Sequence, residues 1–174
     1  MKKITFLFCV SLLAAACNPK KAETAGVTDS VSVDNAVQAT EPAPATLAFN
    51  PLSGYLLNNK LTFKDSVNYF LLSSQEELNE KFNTDPAVRI SSPDFVINHI
   101  VAVALKPSPQ LATITLDKVE VVDTDINVYI NVQYGAKQES VAKPAQIFAI
   151  EKRDGMIAIQ FWVNGKKGQA IMLV

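Results

Sequence analysis

The feature that most constrains this fold is a period of two. Ile126, Val128, Ile130, Val132 and Tyr134 alternate with Asn127, Tyr129, Asn131 and Gln133. Successive side chains of a strand point to opposite faces, so this segment reads as a strand with one buried and one wet face. Ile157, Ile159, Phe161 and Val163 repeat the pattern. Asn164-Gly165 follows, and Ala170 to Val174 forms a further short strand, giving a C-terminal hairpin whose Asn164–Gly168 loop is longer than the tightest type. Arg153-Asp154-Gly155 turns the chain between an Ile147–Glu151 strand and the Ile157 strand. Asp123-Thr124-Asp125 does the same between Thr113–Val122 and Ile126.

Within Thr113–Val122 the phase breaks. Ile114 and Leu116 lie in one register, Val119 and Val121 in the other. A slip of one residue flips the faces, so a bulge is expected near Asp117-Lys118. Val96 to Leu105 is apolar at nearly every position, as in a central strand covered on both sides. Tyr55–Leu57 and Val67–Leu72 complete a sheet of seven or eight strands. One helix is expected near residues 74–83. Ser74 and Glu77 match a capping box, Leu78 and Phe82 share a face, and Pro86 cannot continue the helix. The fold class is therefore α+β: a mainly antiparallel sheet with one helix.

This domain occupies residues 48–174. The chain before it reads differently. Lys2 and Lys3, the apolar run Ile4 to Leu13, and Ala14-Ala15-Ala16 before Cys17 form a signal peptide over residues 1–16. The apolar run is too short to span a bilayer, which takes roughly 20 residues. Small residues before a cysteine resemble the lipobox of bacterial lipoproteins, although Leu13 sits one place earlier than the usual pattern. Cys17 then becomes the lipidated first residue of the mature chain; an ordinary secretory cleavage after Ala16 is the alternative. Asn18 stands where sorting systems place Asp for inner-membrane retention, so the expected address is the outer membrane, facing the periplasm. Residues 17–47, rich in Ala, Thr, Val, Ser, Asp and Pro, read as a lipidated cysteine and a disordered tether. Its typical span is about 30 Å. A strand over Val27 to Val33 is the competing reading.

Composition narrows the function classes. The cysteines are Cys9 and Cys17 only, so the mature domain has no disulfide and no thiol nucleophile. Net charge is −1, with both signs interspersed. That argues against a nucleic-acid footprint. The lone histidine, His99, sits inside an apolar strand, where a structural role is the plainer reading than a catalytic triad. Asp123, Asp125 and Asn127 begin a calcium-loop spacing, but Val128 replaces its glycine and Tyr134 its glutamate. Zinc ligands are lacking. Glu76-Glu77 lies on the wet helix face, and Lys166-Lys167 lies in a loop leading to a strand rather than a helix. The residues thus point to no enzyme, metal or cofactor.

Trp162 is different. Phe161 and Val163 take the inward phase, which turns Trp162 outward with Gln160 and Ala158. An exposed tryptophan anchors partners well; the plainer alternative is that a helix or loop covers it. Tyr129 and Tyr55 carry the same ambiguity.

Three segments together resemble a known family: Asn68-Tyr-Phe-Leu-Leu-Ser-Ser-Gln-Glu-Glu-Leu, Pro93-Asp-Phe-Val-Ile-Asn-His-Ile-Val-Ala-Val-Ala-Leu and Lys143-Pro-Ala-Gln-Ile-Phe-Ala-Ile-Glu-Lys. Their order resembles the PrcB-like C-terminal domain, named for a protease-complex subunit, and a set of lipoproteins of Bacteroidetes type. The resemblance covers about Tyr69 to Phe161. It implies a non-enzymatic accessory domain that docks or stabilises an envelope protein. Where the family carries a Thr-Gly-Gly-Tyr-like segment, this chain has Lys106-Pro-Ser-Pro-Gln-Leu-Ala-Thr. The expected contact residues are Trp162, Lys106 and Gln110, the partners an envelope protein and, through Cys17, the lipid bilayer. A small-molecule or glycan-binding module using exposed aromatics is the second expectation.

Overall fold

The computed structural model describes residues 43–173. The expected leader, Cys17, the Val27–Val33 alternative and the tether up to residue 42 lie outside the described residues.

In chain order the elements are β1 (Ala45–Thr46), β2 (Phe49–Leu52), β3 (Tyr55–Leu57), β4 (Val67–Leu72), α1 (Gln75–Lys81), β5 (Phe82–Thr84) and β6 (Asn98–Leu105). Then come β7 (Ser108–Val122), β8 (Asp125–Ala142), β9 (Ala145–Glu151), β10 (Ala158–Val163) and β11 (Lys166–Met172). The class is α+β and sheet-rich, with a single short helix among the described residues. One sheet was the sequence expectation; the strands instead divide into a five-stranded sheet (β1-β7-β8-β10-β11), a four-stranded sheet (β2-β9-β6-β4) and a β3-β5 ribbon.

The division has a covalent cause. β6 runs into β7 through Lys106-Pro107, and β8 runs into β9 through Lys143-Pro144. β6 pairs with β9 and β7 with β8, both antiparallel. The four strands are thus one long ribbon folded over at two Lys-Pro corners. Proline donates no N–H to a ladder, so pairing breaks there. A single bond from the Leu105 N–H to the Pro144 carbonyl, 2.9 Å, ties the corner.

Folding the ribbon lays its halves face to face. Val101, Val103, Phe148 and Ile150 of the four-stranded sheet meet Ile126, Val128, Ile159 and Phe161 of the five-stranded sheet in one core. The alternate residues of β6 and β9, Ile100, Ala102, Ala104, Ile147 and Ala149, face a second core with Leu78, Phe82 and Leu57 of α1 and the ribbon. β6 is therefore buried on both sides, as its unbroken apolar run implies. Across the first core the Tyr69 and Phe161 rings stack at 4.7 Å. A Cβ on Gly168 would come within 2.6 Å of the Tyr69 hydroxyl, so glycine lets β11 close on that ring.

Several boundaries differ from the sequence expectation. β6 starts at Asn98, and Val96 and Ile97 are exposed. The Asp94 carboxylate accepts hydrogen bonds from both of their N–H groups, which holds them in a turn. The domain begins by Ala45 rather than residue 48, because β1 pairs with Val121 and Glu120 and Leu47 is buried. The helix stops at Lys81: Phe82 turns extended and starts β5 against β3. At its start the Ser74 hydroxyl accepts from the Glu77 N–H, but the Glu77 carboxylate reaches Ser73 N–H rather than Ser74. The C-terminal hairpin turns at Asn164-Gly165 alone, with φ of 49° and 75°, so the longer loop expected there does not exist. That left-handed pair is the tight turn that Asn-Gly favours. Lys166 and Lys167 consequently belong to β11, not to a loop. The bulge stands where the phase break puts it: Leu116 pairs with Ile130 and Lys118 with Tyr129, leaving Asp117 unpaired.

Candidate functional site

β8 and β10 lie side by side and parallel, Ile126 beside Ile159 and Val128 beside Phe161. Their inward residues match, so their outward residues match too. Asn127 falls beside Gln160, and Tyr129 beside Trp162. Lys118 of β7 pairs with Tyr129 on one side, and Lys167 of β11 with Trp162 on the other. The outer face thus carries a row across four strands, Lys118–Tyr129–Trp162–Lys167. At about 4.8 Å per strand it is roughly 14 Å long.

The row is held in place. The Tyr129 and Trp162 rings stack at 6.0 Å with 16° between their planes. The Lys118 ammonium stands 4.6 Å from the Tyr129 ring centre, within cation–π range. The Glu120 carboxylate accepts a hydrogen bond from the same ammonium at 2.7 Å. That bond, and then the charge of Glu120, hold Lys118 above the usual lysine range. The Trp162 indole N–H donates to Asn127 Oδ1 at 2.8 Å. Two residues earlier on β10 the buried Gln160 amide donates to the carbonyls of Phe161 and Gly168, at the irregularity where β11 slips against β10.

Beside the rings lies an open cleft of about 510 Å³, lined by Asp117, Lys118, Tyr129, Asn131, Trp162 and Asn164. Asn164 is committed to structure: its amide donates to the Val132 carbonyl and accepts from the Val132 N–H, continuing the ladder past the end of β10. Asp117 and Asn131 make no side-chain hydrogen bond among the described residues.

Trp162 is half-buried by its own sheet, and α1 packs on the far side of the four-stranded sheet. The helix expected as one cover for Trp162 is therefore not over it. Lys106 and Gln110 are elsewhere. They line a smaller cleft of about 130 Å³ with Tyr134 and Pro144 at the Lys-Pro corner. Gln110 pairs with Lys137, eight residues along β8 from Tyr129, which is roughly 25 Å. The expected loop is also partly strand, since β7 starts at Ser108, and the Gln110 amide donates to the Gly135 carbonyl. Trp162 thus has Tyr129, Lys118 and Lys167 as neighbours, none of which the sequence joined to it. The Asn-Gly turn was the available signal: a two-residue turn sets Trp162 opposite Lys167.

Tyr55, Asp123 and Asn127 have structural duties. The Tyr55 hydroxyl donates to the Ser91 carbonyl at 2.8 Å, and burial raises its pKa. Asp123 takes a left-handed turn at φ 55°, while Asn127 serves Trp162. Among the described residues no cluster of three His, Cys, Asp or Glu side chains is arranged for a metal. His99 is half-buried at one end of the space between the sheets, in a cavity of about 270 Å³ with Ser73, Lys152 and Leu173 but no carboxylate among the described residues. Burial first, and then the Lys152 charge, lower its pKa.

The chain matches no protein-family model, no curated protein and no solved structure.

Proposed function

We propose that this protein is a non-enzymatic binding domain of the bacterial envelope, tethered by lipid on Cys17, and that it engages its ligand with the outer face of the five-stranded sheet. One observation carries the reading. Two aromatic rings, flanked by two lysines, are fixed by hydrogen bonds and stacking on a face beside an open cleft. Rigid aromatics with apolar bodies and polar tips supply binding energy at low entropic cost. The wet face of a strand that served only solubility needs no such order. A catalytic reading has less to stand on, because His99 has no acid partner among the described residues that line its cavity. The resemblance to the PrcB-like domain favours an accessory role beside another envelope component, and the Trp162 row is where such a component docks.

The test is positional photo-crosslinking of the full-length protein in the cell. A photoreactive residue replaces Asn131 at the cleft, and another replaces Glu80 on the exposed side of α1. The expected result is a discrete adduct from position 131 and none from position 80. Equal labelling from both positions, or none from 131, contradicts the reading.

A further inference from the structure

The groups around the Trp162 cleft differ in what they leave unsatisfied. At the β7 end Lys118 is neutralised by Glu120 at 2.7 Å. At the β11 end Lys167 stands directly across from Trp162 and makes no ion pair among the described residues. Lys166 beside it makes none among the described residues either. The row therefore has one neutralised and one open cationic end. Along the cleft wall, the Asp117 carboxylate and the Asn131 amide have no protein hydrogen bonds among the described residues. Trp162 and Tyr129 line the cleft with their rings, and the indole N–H is already committed to Asn127.

This combination selects among ligand classes. A peptide added as a strand needs free backbone N–H and C=O groups. At the row, β8 and β10 have neighbours on both sides, so their backbone is spent in the sheet. A lipid surface calls for a cluster of cations, and Glu120 and Asp117 dilute one here. A sugar fits each group in turn. The C–H face of a pyranose ring lies on an aromatic ring; its hydroxyls donate to a carboxylate and exchange hydrogen bonds with an amide. An acid group on that sugar finds the uncompensated ammonium.

We infer that the cleft binds an anionic saccharide, with a pyranose stacked on Trp162, its hydroxyls on Asp117 and Asn131, and its carboxylate or phosphate on Lys167. This rests on the reading that the Trp162 face is the ligand-binding face, and adds the ligand's chemistry. The length of the row favours an oligosaccharide laid across the strands over a single ring.

Trp162 is the sole tryptophan of the chain, so its fluorescence reports on this site alone. The experiment titrates the full-length protein in detergent with a galacturonate oligomer, a hexose phosphate and a neutral gluco-oligosaccharide. The expected result is a saturable change with an anionic sugar, about tenfold tighter than with the neutral one. Lys167→Gln reduces the anionic sugar to the neutral level, and raised salt does the same. Asp117→Ala weakens every sugar that binds. A response to galacturonate alone assigns the acid group as carboxylate, and one to hexose phosphate alone as phosphate. Equal binding of neutral and anionic sugars, unmoved by Lys167→Gln, overturns the anionic assignment. No saturable response to any sugar overturns the inference; if the adduct from position 131 is then a protein and disappears in Trp162→Ala, the binding face stands and its occupant is that protein. Loss of both signals sinks the binding face as well.

Discussion

The two faces of the five-stranded sheet are built from the same strands and are ordered in different ways. Inward, Ile126, Val128, Ile130, Ile159 and Phe161 are almost wholly excluded from water. Outward, one residue along, stand Asn127, Tyr129, Asn131, Gln160 and Trp162. The inner face is ordered by close packing, which is unspecific in chemistry and costly to disturb. The outer face is ordered by named bonds: indole to amide, amide to carbonyl, ammonium to carboxylate. Each is worth little alone, yet together they hold two aromatic rings still at a solvent boundary. A face can thus be rigid without being a core, and under the proposed function that rigidity serves recognition.

The contrast is open to attack from its strongest side first. Phe161→Ala empties the inner face against Tyr69 and is expected to cost about 3–5 kcal/mol in urea unfolding. A cost near that of an exposed residue would deny that Phe161 belongs to the core. Asn127→Ala removes the acceptor of the Trp162 indole N–H and is expected to cost about 1–2 kcal/mol. It should also broaden Trp162's emission and shift it to the red as the ring loses its fixed position; an unchanged spectrum would show that stacking alone holds the ring.

His99 stands at the end of the inner space, and the sign of its pH dependence follows from burial. Its folded pKa lies below the ordinary 6.5, so the unfolded chain binds the proton more readily. His99 thus contributes no penalty above about pH 6.5, and stability falls as pH drops below that value toward the folded pKa. Melting temperatures of wild type and His99→Gln at pH 7.5 and 5.5 should separate this contribution. The wild type should lose more on acidification than the variant, and parallel losses would remove His99 from the account. The smallest effect belongs to Lys118→Ala. The pair with Glu120 and the cation–π contact sit at the surface and are expected to contribute less than about 1 kcal/mol, lost in high salt. A larger, salt-independent cost would mean that the outer face carries more of the fold than packing suggests.

Local order was largely legible in the sequence. β3 and β4 stand at the bounds expected for them, the phase break at Asp117-Lys118 marked the bulge, and the apolar run of β6 signalled burial on both sides. Pairing was not legible, because alternation says which way a side chain points and nothing about its neighbour. The parallel match of β8 with β10, which sets Tyr129 beside Trp162, joins residues 33 positions apart. β5 hid behind the helix: Phe82 reads as the next helical contact after Leu78, and only tertiary pairing with Tyr55–Leu57 draws it into a strand. Val96 and Ile97 look like core, yet two hydrogen bonds donated by their N–H groups to Asp94 outweigh that pattern. The outward phase of Trp162 was readable from Phe161 and Val163. Its lysine neighbours depended on register, and the choice of Lys106 and Gln110 as its companions treated the start of β7 as a loop.

The central claim is that the outer face serves recognition while the inner face serves stability. Photo-crosslinking from position 131, repeated in the Trp162→Ala background, tests it most directly when urea unfolding of the same variant is followed in parallel by circular dichroism. The expected result is loss of the adduct with a stability change far smaller than that of Phe161→Ala. An adduct of undiminished yield in Trp162→Ala, or a collapse of stability equal to that of Phe161→Ala, would contradict the claim.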